Sequence, residues 1–174
     1  MNLKRFIGLF GLLAVFGLGS ARAARAGSDI QPPVLPESCG SIQTEAGNEV
    51  EEHVYAIGVQ IYRWNGSAWT FIAPMANLYA DEGFRVRAGY HYAGPTWESN
   101  SGTTVLAARV PGTGCTPDSS AIPWLLLKTV SIDGSGLLRR TTFIQRVNTA
   151  GGLAPSSPGM TRRAAGWSAS PSCR

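Results

Sequence analysis

Alternation of apolar and polar residues over residues 53–64 is the feature that most constrains the fold. Four side chains share one face of an extended chain: Tyr55, Ile57, Val59 and Ile61. Gln60 and Tyr62 point the other way, which is the period-two pattern of a half-buried strand. Asn65-Gly66 follows as a tight-turn pair, and residues 68–73 return with β-forming side chains. This combination predicts a β-hairpin.

The rest of the chain continues in short strand-like segments. Five of them are separated by turn-forming clusters and cover residues 75–79, 84–92, 104–110, 122–132 and 137–147. Residues 124–127, together with Val130, are apolar without alternation, which is typical of a central strand buried on both faces. After residue 26 no stretch sustains helical periodicity over three turns. We therefore predict an all-β fold, an antiparallel sandwich or barrel-like single domain.

Residues 1–26 have the layout of a helical signal peptide. Lys4 and Arg5 precede 14 uncharged residues, and two small-x-small triplets follow at residues 21–23 and 24–26. As a helix the uncharged run would span about 21 Å, short of a hydrocarbon core of about 30 Å. The segment predicts export to the periplasm or the medium, with no stable membrane span after cleavage. The alternative is an uncleaved single-span anchor.

Removal of this segment changes the charge of the protein. The full chain has 15 Lys and Arg, 11 Asp and Glu, and a net charge of +4. Residues 1–26 contain four of the basic residues and none of the acidic ones, so the remainder carries 11 of each sign. A nucleic-acid-binding protein normally carries a basic stripe that neutralises phosphates. A neutral mature chain therefore argues against a nucleic-acid partner.

Cysteine and histidine usage bears on disulfides and metals. Export places Cys39, Cys115 and Cys173 in an oxidising compartment, where a disulfide persists. Three single pairings exist, and the turn-like surroundings of Cys39 and Cys115 favour a bond between these two. The two histidines, His53 and His91, have no second ligand at close spacing, so no metal site is predicted. No phosphate-binding glycine loop with a following lysine is present, and no cofactor is predicted.

We divide the chain into four parts by composition. Residues 1–26 are the signal peptide, and residues 27–49 are an extended, proline-containing lead-in. Residues 50–158 form the single β domain. Residues 159–174 are rich in Arg, Ala and Ser without strand alternation, which predicts an irregular tail.

The densest set of chemically active side chains lies at residues 90–98, around a Gly-Pro break. It comprises Tyr90, His91, Tyr92, Trp97 and Glu98. One hypothesis makes His91 and Glu98 a catalytic acid/base pair. A second makes Tyr90, Tyr92 and Trp97 a stacking platform for a sugar ring. The third is that the rings fill the core on alternate faces and Gly94-Pro95 forms a bend or bulge.

Several runs resemble a known family of small exported bacterial and fungal proteins, catalogued only as a domain of unknown function. They are GVQIY (58–62), WTFIAP (69–74), LY (78–79), HYAGPTWE (91–98), IPWLLL (122–127) and IQRVNT (144–149). The resemblance covers residues 32–158 and implies export and one β-rich domain. It implies no catalytic residue.

The chain departs from that family at two positions. Members often carry a cysteine where this chain has Trp64, and another where it has Met160, followed by a segment rich in Tyr and Phe. One hypothesis is a reading-frame change near codon 160 that replaced the last strand and left an edge unpaired. The other is a subfamily with a natural irregular tail. Sequencing the 3′ end of the gene decides between them.

These observations favour an exported binding or envelope-associated module whose ligand is a glycan or a small molecule. Its candidate surface is the aromatic segment 90–98. The alternatives are a small hydrolase that uses His91 and Glu98, and a purely structural surface protein. The oligomeric state is left open.

Overall fold

The computed structural model of the protein describes residues 31–158 and, as backbone alone, residues 167–172. The predicted signal peptide at residues 1–26 and Cys173 lie outside the described residues. Among the described residues no helix has the length and apolar character needed to cross a bilayer.

One antiparallel sheet of eight strands forms the fold. The strands are β1 (Tyr55–Trp64), β2 (Trp69–Tyr79), β3 (Arg87–Tyr92), β4 (Thr96–Ser99), β5 (Thr103–Arg109), β6 (Leu125–Gly134), β7 (Phe143–Arg146) and β8 (Trp167–Ser172). Each strand from β1 to β6 pairs with the next one in the chain, and β8 pairs with the other edge of β1. The sheet curls into a half-barrel, and within the described strands no pairing joins β7 to β8. The prediction of an all-β, barrel-like fold is confirmed.

The β1–β2 hairpin forms as predicted, and one side chain organises its turn. Asn65 Oδ1 accepts hydrogen bonds from the backbone N–H groups of Ser67 at 2.9 Å and Ala68 at 2.8 Å. Gly66 has a φ of 104°, a value that side-chain-bearing residues rarely adopt. The asparagine-glycine pair therefore supplies both the cap and the backbone freedom that the turn needs.

β2 is one strand where the sequence predicts two, because Pro74 lies inside it. Proline lacks the N–H that a strand uses to pair with its neighbour. β3 pairs with β2 only between Ala76 and Tyr79, so Pro74 lies beyond the end of that ladder. The strand therefore passes through the proline without losing a hydrogen bond to β3.

The sequence does not predict β4 or β8. Thr96–Ser99 is only four residues long and lies between two turns, which is too short for periodicity to show. The tail is expected to be irregular, but residues 167–172 pair with residues 58–63 of β1. The edge of β1 offers a row of backbone N–H and C=O groups, and pairing with it depends on the backbone more than on side-chain pattern.

β6 separates the two hydrophobic clusters, as predicted for a strand buried on both faces. Leu127 packs on the inner, concave face of the half-barrel with Leu78, Trp97 and Ala107. Leu126 packs on the opposite, outer face. Both leucines are buried, which explains why this part of the sequence is apolar without alternation. Val130, which the sequence predicts to be buried in the same strand, is instead 62% exposed, so β6 is buried on both faces only near its start.

The lead-in is more structured than the extended segment that the sequence predicts. It forms a 3-10 helix at Glu37–Ile42, whose Cys39 and Ile42 are fully buried against Trp124 and Leu126. Cys39 is joined to Cys115 by a disulfide, which confirms the predicted pairing. The lead-in thus covers the outer face of β6 and β7.

The segment after β7 crosses from β7 back to the β1–β2 hairpin. The backbone N–H of Ile122 donates to the carbonyl of Gly151 at 2.9 Å. The buried Tyr62 hydroxyl donates to the carbonyl of Gly152 at 2.7 Å. Further along, the indole N–H of Trp69 donates to the carbonyl of Ser157 at 2.8 Å. These bonds hold residues 151–157 across the inner side of the half-barrel.

Candidate ligand-binding face

The β3–β4 hairpin brings the aromatic segment together. Tyr90 lies opposite Glu98, His91 opposite Trp97 and Tyr92 opposite Thr96. The turn between them contains Gly94 with a φ of 128°, so the Gly-Pro break is a hairpin turn. Because strand side chains alternate between faces, this register divides the candidate residues into two groups.

His91 and Trp97 form the inner group and belong to the core. Their rings are stacked with centroids 4.1 Å apart and an interplanar angle of 16°. Trp97 is only 9% exposed and packs against Leu78 and Leu127. This pair therefore matches the core-filling hypothesis, and Trp97 is not accessible as a stacking platform.

His91 is held in one protonation state. Its Nδ1 lies 2.9 Å from the carbonyl oxygen of Thr96, and because a carbonyl only accepts, Nδ1 carries the proton and Nε2 is unprotonated. Burial lowers the pKa of His91 from 6.5 to about 4. The hydrogen bond to Thr96 raises this pKa and the charge of Arg146 lowers it. The imidazole is therefore neutral at physiological pH.

Tyr90, Tyr92 and Glu98 form the outer group. Tyr92 is 37% exposed, and its hydroxyl donates to Glu98 Oε2 at 3.0 Å. This hydrogen bond raises the pKa of Tyr92, so the hydroxyl remains a donor. Glu98 Oε1 accepts no hydrogen bond from residues 31–158 and stays available to a ligand. The result is an exposed ring beside a hydrogen-bond acceptor.

The two faces separate His91 from Glu98. The acid/base hypothesis requires both side chains in one cleft, but the register places them on opposite sides of the sheet. No general acid/base pair forms between these two residues. The platform hypothesis is compatible with the geometry of Tyr90 and Tyr92, two of its three rings, because both lie on the outer face.

Three further residues, which sequence reasoning missed, border the outer group. Asn77 of β2 lies opposite Tyr90 and therefore shares its face. The Arg87 guanidinium lies 4.8 Å from the centroid of the Tyr90 ring, a cation–π contact. Met75, 58% exposed, continues the same face of β2. The sequence gives no signal for this position, because Asn77 shares its face with the apolar Met75 and Tyr79. Only strand register places Asn77 beside Tyr90.

The described residues hold no cluster of three or more His, Cys, Asp or Glu side chains suited to a metal ion. The outer group and the residues that border it offer aromatic rings, one amide, one carboxyl group and one guanidinium. Such groups bind a ligand by stacking and hydrogen bonding.

A scan against family models matches residues 45–163 to a family described as a protein of unknown function, DUF3455. This match covers well over half of the chain. The protein belongs to the DUF3455 family. No curated protein and no solved structure gave a significant match.

The DUF3455 match locates the candidate site inside the family region. Strands β1–β7 and Cys115 fall within residues 45–163, whereas Cys39 and its 3-10 helix precede them. The disulfide therefore ties a segment outside the matched region to a loop inside it. A disulfide is compatible with an exported protein.

Proposed function

We propose that this DUF3455 protein is an exported binding module that takes a neutral glycan on the outer face of β2–β4. The observation that carries the proposal is the hydrogen bond between the Tyr92 hydroxyl and Glu98, which fixes an exposed ring next to an acceptor. A sugar ring offers an apolar C–H face to an aromatic ring and hydroxyl groups to polar side chains. Tyr92 supplies the ring, and Glu98 accepts from the hydroxyl groups.

The surroundings of Tyr92 support an uncharged ligand. Asn77 offers both a donor and an acceptor on the same face. The Arg87 guanidinium lies over the Tyr90 ring and does not project from the surface as an anion-binding group. Glu98 disfavours an anionic ligand, because like charges repel across a partly solvated surface. Neutral oligosaccharides are therefore the first class of probe.

We expect Tyr92→Ala to weaken binding of a neutral oligosaccharide by about tenfold or more, because it removes the stacking ring. Isothermal titration calorimetry with cellohexaose, chitohexaose, maltohexaose and mannohexaose measures this. Tyr92→Phe keeps the ring and loses the bond to Glu98, so we expect an intermediate affinity. Val130→Ala is the matched control, since Val130 is 62% exposed on β6, three strands from β3.

Two results would contradict the proposal. One is that no oligosaccharide of the panel binds the wild-type protein, which would favour a purely structural role. The other is binding that Tyr92→Ala and Glu98→Gln leave unchanged while both variants remain folded.

The signal peptide proposed at residues 1–26 leads to a separate prediction. When the full chain is expressed in a bacterium with a general secretion pathway, we expect cleavage after Ala23 or Ala26. The mature protein then begins at Ala24 or Gly27, which intact-mass spectrometry of the exported fraction identifies. A secreted or membrane-bound product that still carries residues 1–23 would contradict this prediction.

A further inference from the structure

A cleft lies at the tip of the β1–β2 hairpin, separate from the outer group. Its volume is about 320 Å³. It is lined by the two hairpin tryptophans and turn residues on one side and by the returning chain on the other: Trp64, Ser67, Ala68, Trp69, Ala154, Pro155, Ser156, Ser157 and Pro158. This volume is at the lower end of the range of about 300–1,000 Å³ typical of small-molecule sites.

Two tryptophans in a fixed arrangement dominate the cleft. Trp64 and Trp69 are cross-strand partners with ring centroids 5.6 Å apart and an interplanar angle of 61°. The indole N–H of Trp69 is bonded to the carbonyl of Ser157, which fixes that ring and the opposite wall together. The turn below is capped by Asn65. The aromatic surface is therefore preorganised before any ligand arrives.

The chemistry of the lining restricts the ligand. None of the nine lining residues is charged, so an ionised ligand would find no counter-charge in the cleft. The indole N–H of Trp64 donates to no protein group within residues 31–158, which leaves one strong donor for a ligand oxygen. Serine hydroxyls and backbone carbonyls on the opposite wall complete the polar groups. A small, neutral ring that carries hydroxyl groups satisfies each of these features.

We propose that this cleft binds a single neutral sugar unit between Trp64 and the 154–158 segment. It is distinct from the outer group, since Trp64 shares the face of the buried Tyr62 and Tyr92 lies on the opposite face. Evidence against one of the two proposed sites therefore does not contradict the other. The protein then presents two sugar contacts on opposite sides of one sheet.

The test is a titration of the ¹⁵N-labelled protein with methyl glycosides of glucose, galactose, mannose and N-acetylglucosamine. We expect one glycoside to shift the indole N–H signals of Trp64 and Trp69, which Trp64→Phe and Trp69→Phe identify in the spectrum. Trp64→Phe keeps a ring but removes the N–H donor, and Trp64→Ala removes both. We expect affinity to fall by about threefold for the first and about tenfold or more for the second.

Matched variants separate this proposal from the outer-face proposal. Tyr92→Ala should leave the indole shifts unchanged, and Trp64→Ala should leave oligosaccharide binding at the outer face unchanged. If Tyr92→Ala abolished both the indole shifts and oligosaccharide binding while Trp64→Ala abolished neither, the protein would have a single site at the outer face. That result would overturn the proposal for the cleft. Absence of indole shifts with every glycoside would also overturn it. So would shifts produced only by the peptide acetyl-Ala-Pro-Ser-Ser-Pro-amide, which would indicate a proline-peptide groove.

Discussion

Loss of the disulfide between Cys39 and Cys115 is expected to lower the free energy of unfolding by about 4 kcal/mol. The bond joins residues 76 positions apart, so it closes a long loop and removes much conformational freedom from the unfolded chain. The same bond holds the 3-10 helix, whose Ile42 is fully buried, against Trp124 and Leu126. The cost therefore includes both chain entropy and looser packing of the outer-face cluster.

Single and double variants distinguish the bond from the side chains that form it. Cys39→Ala and Cys115→Ala each break the same bond, so each is expected to lose nearly the full amount, and the double variant little more. Urea denaturation with and without dithiothreitol measures this: reduction should shift the wild-type midpoint and leave the double variant unchanged. Additive losses in the two single variants, with a wild type insensitive to reduction, would contradict the prediction.

Acidification from about pH 7 to about pH 4 is expected to lower the free energy of unfolding by about 3 kcal/mol through His91 alone. Burial lowers the pKa of this histidine to about 4 in the folded protein, against 6.5 for an ordinary histidine. Between these two values the unfolded chain binds a proton that the folded chain does not. Stability therefore falls as the pH falls through this window, and this contribution levels off below about pH 4.

Non-titrating variants isolate this contribution. His91→Phe keeps a ring on Trp97, and His91→Asn keeps a donor for the Thr96 carbonyl. Both are expected to flatten the pH dependence of unfolding between about pH 6.5 and pH 4. His53→Gln, which removes the other histidine from an exposed position, is the control and should retain the slope. A wild-type slope that persists in both His91 variants, or an NMR titration of His91 near its ordinary pKa, would contradict the prediction.

Local sequence pattern was sufficient for the elements whose side chains alternate over many residues. The β1–β2 hairpin follows from the alternation of residues 53–64 and the Asn65-Gly66 turn, because both signals act within a few residues. Residues 124–127 likewise indicate a strand buried on both faces, which β6 shows through Leu126 and Leu127. In β1, however, the buried side chains are Gln60 and Tyr62, whereas Ile57 on the apolar face is 44% exposed. The alternation therefore predicted the strand but not which of its faces is buried.

Short or distant pairings could not be read from the pattern. β4 has four residues, so alternation has no length in which to appear. β8 pairs with β1 across more than a hundred residues of chain, and its partner edge exists only once the sheet has formed. The buried 3-10 helix of the lead-in depends on the bond from Cys39 to Cys115, a contact 76 residues away.

The candidate site divides in the same way. The sequence alone determined that residues 90–98 concentrate aromatic and ionisable side chains, because composition needs no fold to be seen. Only the tertiary structure decided which of them are buried and which are exposed. The register of β3 against β4 turns His91 and Trp97 into the core and leaves Tyr92 and Glu98 on the outer face, since neighbouring side chains of a strand point to opposite faces. The curl of the sheet then decides which face is buried, and that depends on every strand at once.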